Sequence, residues 1–354
     1  MTRVLLSALA LAALAAPGLT QAREREEKKQ DPARSREETK QKDDSRRHDD
    51  NKDRRRDDDD QGRDIIILTD PVPTWPGPWP GRGEYRSVRI PRLTFTRDGV
   101  GLCSISETGQ SPEVLRRNIE VGARSPARAP RRGRLAYVAP VDNTLTLFTV
   151  GEDLTRAHRL TSPKWGDADL PAWSPDDTAI VFVSSRAGND ELYRIPASGG
   201  TPQRLTSHPG RDTQPTWSPS GKWIVFVSER GGQPGLWRIP ARGGEAIALE
   251  GCPPGIPSEP TFSPDGRFIV ASFEDAPGKH HLWKIDLDSK EAPQCLTPEP
   301  GVYRNPTFRP DGSKLALSVR TSAGGYAIVL LEFTGNSLQQ LTSGTLSDHR
   351  PVWW

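Results

Sequence analysis

The chain has 354 residues, of which 34% are hydrophobic and 27% are charged, with 32 Gly and 34 Pro. This composition is too polar and too rich in turn residues for a protein that crosses a membrane many times, and the length fits one large domain or two small ones. The 48 basic and 46 acidic residues nearly cancel, so the total charge gives no support for a nucleic-acid-binding protein.

The N-terminus has the pattern of a secretory signal peptide. Arg3 precedes an apolar run over residues 4–16, which is shorter than the roughly 20 residues of a transmembrane helix. Small residues follow near Thr20 and Ala22, and no Cys follows the run that could carry a lipid. We predict a signal peptide over residues 1–22 and a periplasmic or secreted protein without a transmembrane segment in the mature chain. An uncleaved anchor or a buried helix is the alternative.

Residues 23–64 form a charged segment with 15 Lys/Arg, 16 Asp/Glu and no aromatic residue. Such a segment cannot bury enough apolar surface to offset its conformational entropy, so we predict a disordered tail. Its arginines at 54–56 could bind an anionic polymer, but four aspartates follow directly, which favours a solubilising tether. Residues 65–84 are predicted to be a Pro-rich linker.

Short motifs then recur every 44 to 46 residues: AWSPDD at 172–177, TWSPSG at 216–221, TFSPDG at 261–266 and TFRPDG at 307–312. Each is followed by two apolar runs, and most repeats end in a Leu-Thr pair. Short β-branched and aromatic runs between Pro-Asp-Gly and Gly-Gly turns are typical of strands and hairpins. Four strands per repeat of about 45 residues is the pattern of a β-propeller blade.

We therefore predict an all-β, six-bladed β-propeller over residues 85–354. Its six second-hairpin segments are centred on Leu102, Leu147, Leu192, Leu236, Leu282 and Ile328. The C-terminal strand around Trp353 has no further blade to begin, so we expect it to complete blade 1 and close the ring. The inner-strand aromatic residues are expected to pack between blades: Trp173, Trp217, Phe262, Phe308 and Trp353.

The repeat resembles the WD-repeat-like propeller of TolB-type periplasmic proteins. Residues 172–206 and 216–249 match its pattern nearly throughout: inner-strand Trp, Ser-Pro-Asp-Gly, Ile-Val-Phe-x-Ser-x-Arg, Gly-Gly and Leu-Thr. Residues 23–84 do not resemble the α/β domain that precedes the propeller in TolB, so the resemblance covers the propeller alone. It implies an envelope protein that binds other proteins and has no chemistry of its own.

In a four-stranded blade, the loop after the second strand and the connection into the next inner strand emerge on the same face, around the mouth of the central channel. Loops on a rigid scaffold carry function, so candidate binding residues are expected on this face. The charged candidates are Arg186, Arg230, Arg320, Asp169, Asp212, Glu259 and Asp348. The aromatic and imidazole candidates are Trp165, His208, Tyr303 and His349.

Two interpretations of these residues remain open. The arginines and carboxylates can form internal pairs that tie neighbouring loops together, or unpaired members can contact a partner. The aromatic side chains can anchor an interface or be isolated surface residues.

The three cysteines, Cys103, Cys252 and Cys295, cannot form a disulfide scaffold. A single bond between Cys252 and Cys295 is conceivable in an oxidising compartment, but sequence does not give the separation of their Cα atoms.

Catalytic motifs are missing from the sequence: there is no G-x-S-x-G, no H-E-x-x-H and no Cys/His ligand cluster. We expect a monomeric, non-enzymatic propeller that needs no metal or cofactor, binds no nucleic acid and contacts an envelope or secreted protein through its channel-mouth loops. One alternative is a carbohydrate or cell-wall binder, or a metal-dependent lyase, that uses Trp165, Tyr303, His208 and His349. Another is a degraded or partner-dependent accessory of a hydrolase.

Overall fold

A computed structural model of the chain describes residues 91–353, except residues 110, 116–118, 289–290 and 334–336. The predicted signal peptide, charged tail and Pro-rich linker lie outside these residues. Within the described ranges, no helix is long and apolar enough to span a bilayer. The helical content of this part of the chain is one 3-10 turn at Pro163–Trp165.

The described residues form 24 strands in six four-stranded antiparallel sheets, which are the blades of a propeller. Blade 1 contains β1 (Arg92–Arg97), β2 (Gly101–Ser106), β3 (Glu113–Val114) and the last strand, β24 (Asp348–Trp353). Blade 2 contains β4 (Arg124–Arg128), β5 (Leu135–Val141), β6 (Thr144–Val150) and β7 (His158–Arg159). Blade 3 contains β8 (Asp169–Trp173), β9 (Ala179–Ser184), β10 (Glu191–Pro196) and β11 (Gln203–Arg204).

The remaining three blades follow in chain order. Blade 4 contains β12 (Asp212–Trp217), β13 (Trp223–Ser228), β14 (Gly235–Pro240) and β15 (Ile247–Ala248). Blade 5 contains β16 (Ile256–Phe262), β17 (Phe268–Ala276), β18 (Lys279–Asp286) and β19 (Gln294–Cys295). Blade 6 contains β20 (Tyr303–Phe308), β21 (Lys314–Arg320), β22 (Tyr326–Glu332) and β23 (Leu338–Gln340).

The ring closes as the sequence predicts, because the C-terminal strand β24 is the inner strand of blade 1. It pairs antiparallel with β1, with Leu93 opposite Trp353 and Thr94 opposite Val352. The six-bladed, all-β prediction is therefore confirmed, and the two ends of the propeller hold each other in one sheet.

The hydrophobic core lies between neighbouring blades. One cluster joins Val181 and Leu192 of blade 3 to Ile224 and Phe226 of blade 4. The inner-strand tryptophans add directional contacts to this packing. The indole N–H groups of Trp173, Trp217 and Trp353 donate to the carbonyl oxygens of Ala127, Ala172 and Thr307, each in the inner strand of the preceding blade, at 3.1 to 3.2 Å. Phe262 and Phe308 fill the same position in blades 5 and 6 by apolar packing.

The Leu-Thr pairs secure the short outer strands. In four blades the Thr hydroxyl accepts a hydrogen bond from a backbone N–H of the third strand, at 2.8 to 2.9 Å. The donor and acceptor pairs are Leu147 and Thr161, Leu192 and Thr206, Leu282 and Thr297, and Ile328 and Thr342. All four Thr residues are buried. The outer strand of these blades has two or three residues, so the Thr hydroxyl replaces a ladder bond that a longer strand would make.

All three cysteines are free thiols in the structure. Cys252 and Cys295 are half-buried, and they do not form the disulfide bond that the sequence left open. Burial raises the pKa of Cys252 to about 11, so its thiol stays protonated and unreactive at neutral pH.

Candidate functional site

The six inner strands share one backbone feature at the start of the central channel. In each inner strand the pairing with the second strand shifts register once, at a β-bulge. The bulge contains a proline and the residue before it. The residue before the proline is left-handed, with φ between 50° and 56°; these six residues, named here the mouth ring, are Ser125, Leu170, Gln214, Glu259, Asn305 and Arg350. A left-handed non-glycine residue costs about 1–2 kcal/mol, so six copies in register indicate a geometry that the ring imposes on every blade.

A cavity of about 440 Å³ opens at this end of the ring. It is lined by residues of blades 1, 2, 3, 5 and 6: Thr96, Asp98, Arg124, Ser125, Asp169, Glu259, Arg304, Asn305, Tyr326, His349 and Arg350. We call it the mouth cavity. It continues into a central channel of about 580 Å³, lined by all six inner-strand prolines and by the inner-strand aromatic residues.

Charges around the mouth cavity are unevenly distributed. Arg304, Arg350 and Arg124 come from blades 6, 1 and 2, which are consecutive in the ring. Two carboxylates bracket this arc: Asp169 lies 3.4 Å from Arg124, and Glu259 lies 3.4 Å from Arg304. The three arginines therefore occupy one arc of the mouth, Asp169 and Glu259 lie at its two ends, and Asp98 of blade 1 lies within it beside His349.

Hydrogen bonds between blades hold these side chains in place. The Ser125 hydroxyl donates to Asp169 at 2.7 Å. The Glu259 carboxylate accepts from the Asn305 backbone N–H at 2.7 Å, and the Glu259 backbone N–H donates to the Gln214 side chain at 2.6 Å. Each contact joins one blade to the next, so Asp169 and Glu259 are held in place by the neighbouring blades.

The three arginines of the Ser-x-Arg positions do not act alike in the structure. Arg230 donates to Ser228 and pairs with the fully buried Asp212. Arg186 also donates to the serine two residues before it. Both guanidinium groups pack over aromatic rings of their own blades, Arg186 over Tyr193 at 4.5 Å and Phe182 at 5.5 Å, and Arg230 over Trp237 at 5.2 Å and Phe226 at 5.3 Å. Within the described residues the two differ in the carboxylate partner, which Arg230 has and Arg186 does not. Burial lowers the pKa of Arg186. Arg320 is exposed at the end of β21.

The four carboxylate candidates find their partners mostly in other arginines. Asp348 forms a two-bond pair with Arg97, and Asp169 and Glu259 pair with Arg124 and Arg304, as described above. Among the carboxylates predicted from sequence, Asp212 is the one that pairs with a Ser-x-Arg arginine. The internal pairs that the sequence left open are therefore present, and three of the four use arginines that the sequence analysis did not select: Arg97, Arg124 and Arg304.

The aromatic and imidazole candidates are spread over several blades. Trp165 ends the 3-10 turn before β8, is 37% exposed and lies over Arg186 at 5.8 Å. His208 accepts from the backbone N–H of Gly210 through Nδ1. Tyr303 is buried at the start of β20, where burial raises the pKa of its phenol. His349 packs on Tyr326, with 4.8 Å between ring centroids, and its Nε2 lies 3.3 Å from Asp98.

Asp169, Glu259 and His349 are the sequence candidates that line the mouth cavity. Reasoning from sequence missed Arg124, Arg304, Arg350 and Asn305. A signal for the positions of Asn305 and Arg350 was present, since every inner strand has Pro two positions before its last residue: Pro126, Pro171, Pro215, Pro260, Pro306 and Pro351. Aligning the repeats on this proline, rather than on the aromatic residue, selects the mouth ring directly.

In residues 91–353, with the gaps given above, no group of three or more His, Cys, Asp or Glu side chains is placed to hold a metal ion.

This chain is similar in architecture to solved structures of proteins with different functions. TolB from Acinetobacter baumannii superposes with a TM-score of 0.65 at 23% identity, over 74% of this chain and 66% of that one, so the chain spans slightly less than two thirds of that protein. A putative TolB from Agrobacterium tumefaciens has a TM-score of 0.56 at 16% identity, over 75% of this chain and 98% of that one. A puromycin-hydrolysing peptidase from Mycobacterium tuberculosis has a TM-score of 0.51 at 14% identity, over 72% of this chain and 44% of that one.

At these identities the structural likeness establishes the fold alone. The family assignment rests on the sequence repeat, since a model described as the TolB beta propeller domain matches residues 100–294, more than half of the chain. This chain belongs to the TolB β-propeller domain family.

Proposed function

We propose that this protein is an exported, non-enzymatic β-propeller that binds a protein partner in the cell envelope through the mouth cavity and the loops around it. The periplasmic location of TolB-type proteins and the N-terminal sequence pattern support export. The mouth geometry supports binding.

The main support is a contrast within the chain's own repeats. The scaffold positions of the inner strands are uniform: Pro occurs in all six, and an aromatic residue ends five of them. The mouth ring, one residue before the proline, has six different side chains on one backbone conformation. A ring needed only for closure would repeat itself at this position, whereas a recognition surface presents a distinct group in each blade.

The character of the cavity favours an interface over an enclosed small-molecule site. Its lining is mostly charged or polar, and it opens onto loops that carry the exposed Trp165 and Arg320. Arginine and aromatic side chains are enriched at the centres of protein interfaces. The paired carboxylates and arginines lie at the mouth of the channel. A partner that binds there can form ion pairs and hydrogen bonds with them.

The test is affinity capture from envelope extracts with three forms of the full chain: the parent, Asn305→Arg and Ser198→Arg. Position 305 tolerates Arg, because Arg350 has the same backbone conformation in the next blade. Ser198 is an exposed residue in the turn between β10 and β11, on the opposite face, so Ser198→Arg is a matched control.

We expect one envelope protein to be captured by the parent and by Ser198→Arg and to be lost with Asn305→Arg, while all three forms melt alike. Capture that is equal for all three forms would contradict a mouth site. Binding of wall saccharides by the parent, without any captured protein, would replace the protein partner with a carbohydrate.

A further inference from the structure

Three hydrogen-bond donors that have no partner among the described residues line the mouth cavity. They are the guanidinium of Arg350, the side-chain amide of Asn305 and the hydroxyl of Tyr326, all of which line it. Among the described residues, none of these three groups makes a hydrogen bond or an ion pair, although Tyr326 stacks on His349. They come from neighbouring blades, Arg350 from blade 1 and the other two from blade 6.

The acceptors in the same cavity are already engaged. Asp169 and Glu259 accept from Ser125, Asn305 and the two flanking arginines, and Asp98 faces His349. Arg124 pairs with Asp169, Arg304 pairs with Glu259, and Asp98 contacts the His349 ring, so these pairs leave out Arg350. Arg350 is therefore the one lining guanidinium whose charge has no direct partner among the described residues, and it lies between two satisfied pairs.

The pairing of these charges selects the class of ligand. A dianion such as phosphate would bring two charges to a cavity that offers one unpaired guanidinium, next to three carboxylates that repel it. A monoanion with two oxygen acceptors matches Arg350, because guanidinium binds carboxylate through two parallel hydrogen bonds. The amide of Asn305 and the hydroxyl of Tyr326 add neutral donors, which bind oxygen without further charge.

The position of Arg350 indicates how a ligand that carries a carboxylate would lie in the mouth cavity. Arg350 and Asn305 line both the mouth cavity and the central channel, so they lie at the junction of the two. A carboxylate held there occupies the deepest part of the mouth, and the rest of its chain extends outward. The cavity volume of about 440 Å³ accommodates a few residues of a polypeptide.

We propose that Arg350, with Asn305 and Tyr326, binds a carboxylate of the partner polypeptide at the base of the mouth cavity. This inference rests on the proposed function, because it names the chemistry by which that partner is recognised. The carboxylate belongs either to the C-terminus of the partner or to an Asp or Glu side chain, and the test separates these two sources.

Saturation-transfer NMR on the full chain provides the test, with three probes: acetyl-Gly-Gly with a free C-terminus, acetyl-Gly-Gly-amide, and acetyl-Asp-N-methylamide. Inorganic phosphate is the competitor. The variants are Arg350→Gln, Tyr326→Phe and the control Arg242→Gln, which removes an exposed arginine in the turn between β14 and β15, on the opposite face. Arg350→Gln is expected to fold, because Gln214 has the same left-handed conformation in blade 4.

We expect at least one carboxylate probe to bind at millimolar concentration, and the amide to show no transfer. Arg350→Gln should weaken binding at least about tenfold, Tyr326→Phe several-fold and Arg242→Gln not at all. The stronger of the two carboxylate probes identifies the source. If Arg350→Gln does not melt like the parent, the binding of the carboxylate probes to Tyr326→Phe tests the inference instead.

Equal binding of the amide, unchanged binding in Arg350→Gln and Tyr326→Phe, or failure of both carboxylates to bind would overturn the inference. Displacement by phosphate at lower concentration than the carboxylates would overturn the choice of a monoanion. Capture of the envelope partner by Arg350→Gln as well as by the parent, combined with its loss in Asn305→Arg, would leave the proposed function intact and remove only the carboxylate anchor.

Discussion

Arg97 and Asp348 are 251 positions apart in the chain and form a two-bond ion pair, with Nε to Oδ1 at 2.6 Å and Nη2 to Oδ2 at 2.9 Å. Asp348 begins the closing strand β24, and Arg97 ends β1, its partner in blade 1. The side chains are 1% and 17% exposed, so the pair is shielded from solvent. It raises the pKa of Arg97.

Breaking this pair should destabilise the whole propeller. Asp348→Ala leaves the largely buried guanidinium without its carboxylate, and we expect a loss of about 2–4 kcal/mol in the free energy of unfolding. The control is Glu113→Ala, which breaks the exposed Arg92–Glu113 pair of the same blade and should change stability by less than about 0.5 kcal/mol. Urea unfolding of both variants gives the comparison. Equal effects would mean that the Arg97–Asp348 pair does not secure closure.

Thr161 should stabilise blade 2 through its hydroxyl. Thr161→Val keeps the shape of the side chain but leaves the backbone N–H of the buried Leu147 without an acceptor, so we expect a loss of about 1–2 kcal/mol. Thr201 is exposed, and Thr201→Val should be nearly neutral. Chemical denaturation measures both. A neutral Thr161→Val would show that the Leu-Thr pair is not a structural latch.

Asp177 occupies a left-handed position, φ 60°, where three other repeats have glycine. Its carboxylate accepts from the backbone N–H groups of Arg131 and Arg132 in blade 2. Asp177→Ala loses these bonds and keeps the backbone strain, so it should cost about 1–3 kcal/mol. Asp177→Gly loses the same bonds but relieves the strain, and should recover about 1 kcal/mol. A glycine variant no more stable than the alanine variant would contradict this explanation.

The aspartates of the Ser-Pro-Asp turns should make stability sensitive to acid. Hydrogen bonds from Ser174, and then from Thr178, lower the pKa of Asp176 from 3.8 to about 2. Because the folded pKa lies below the unfolded one, this stabilisation is present above about pH 4 and is lost as the pH falls towards 2. The stability difference between the parent and Asp176→Asn should shrink over that range in melting experiments. A difference that stays constant from pH 6 to pH 2 would show that Asp176 has an ordinary pKa in the folded state.

The architecture could be predicted from sequence because it is repeated. The aromatic residue, the Ser-Pro-Asp-Gly turn and the Leu-Thr pair each recur at one spacing, and together they locate the strands and the closing role of Trp353. Repetition cannot reveal the residues that differ between repeats. Arg124, Arg304 and Arg350 do not follow the repeat, and their pairing depends on which blades are neighbours after closure.

The fate of Arg186 shows the same limit at a single residue. Sequence places it at the same position as Arg230, and both guanidinium groups pack over aromatic rings of the second and third strands of their own blades. Among the described residues, however, Arg230 forms an ion pair with a buried aspartate and Arg186 does not; Arg186 has Trp165 of the 3-10 turn beside it. Equivalent positions therefore predict the backbone and the packing within a blade, and they do not predict the ionic partner of a long side chain.

The central claim, that the mouth contacts an envelope protein, is tested most directly by site-specific photo-cross-linking in the source cell. A photo-reactive phenylalanine derivative is placed at position 305, in the mouth ring, or at position 198, on the opposite face of the full chain. We predict one discrete cross-linked protein from position 305, and its absence from position 198. The same product from both positions, or no protein from position 305 while the propeller remains folded, would contradict the account.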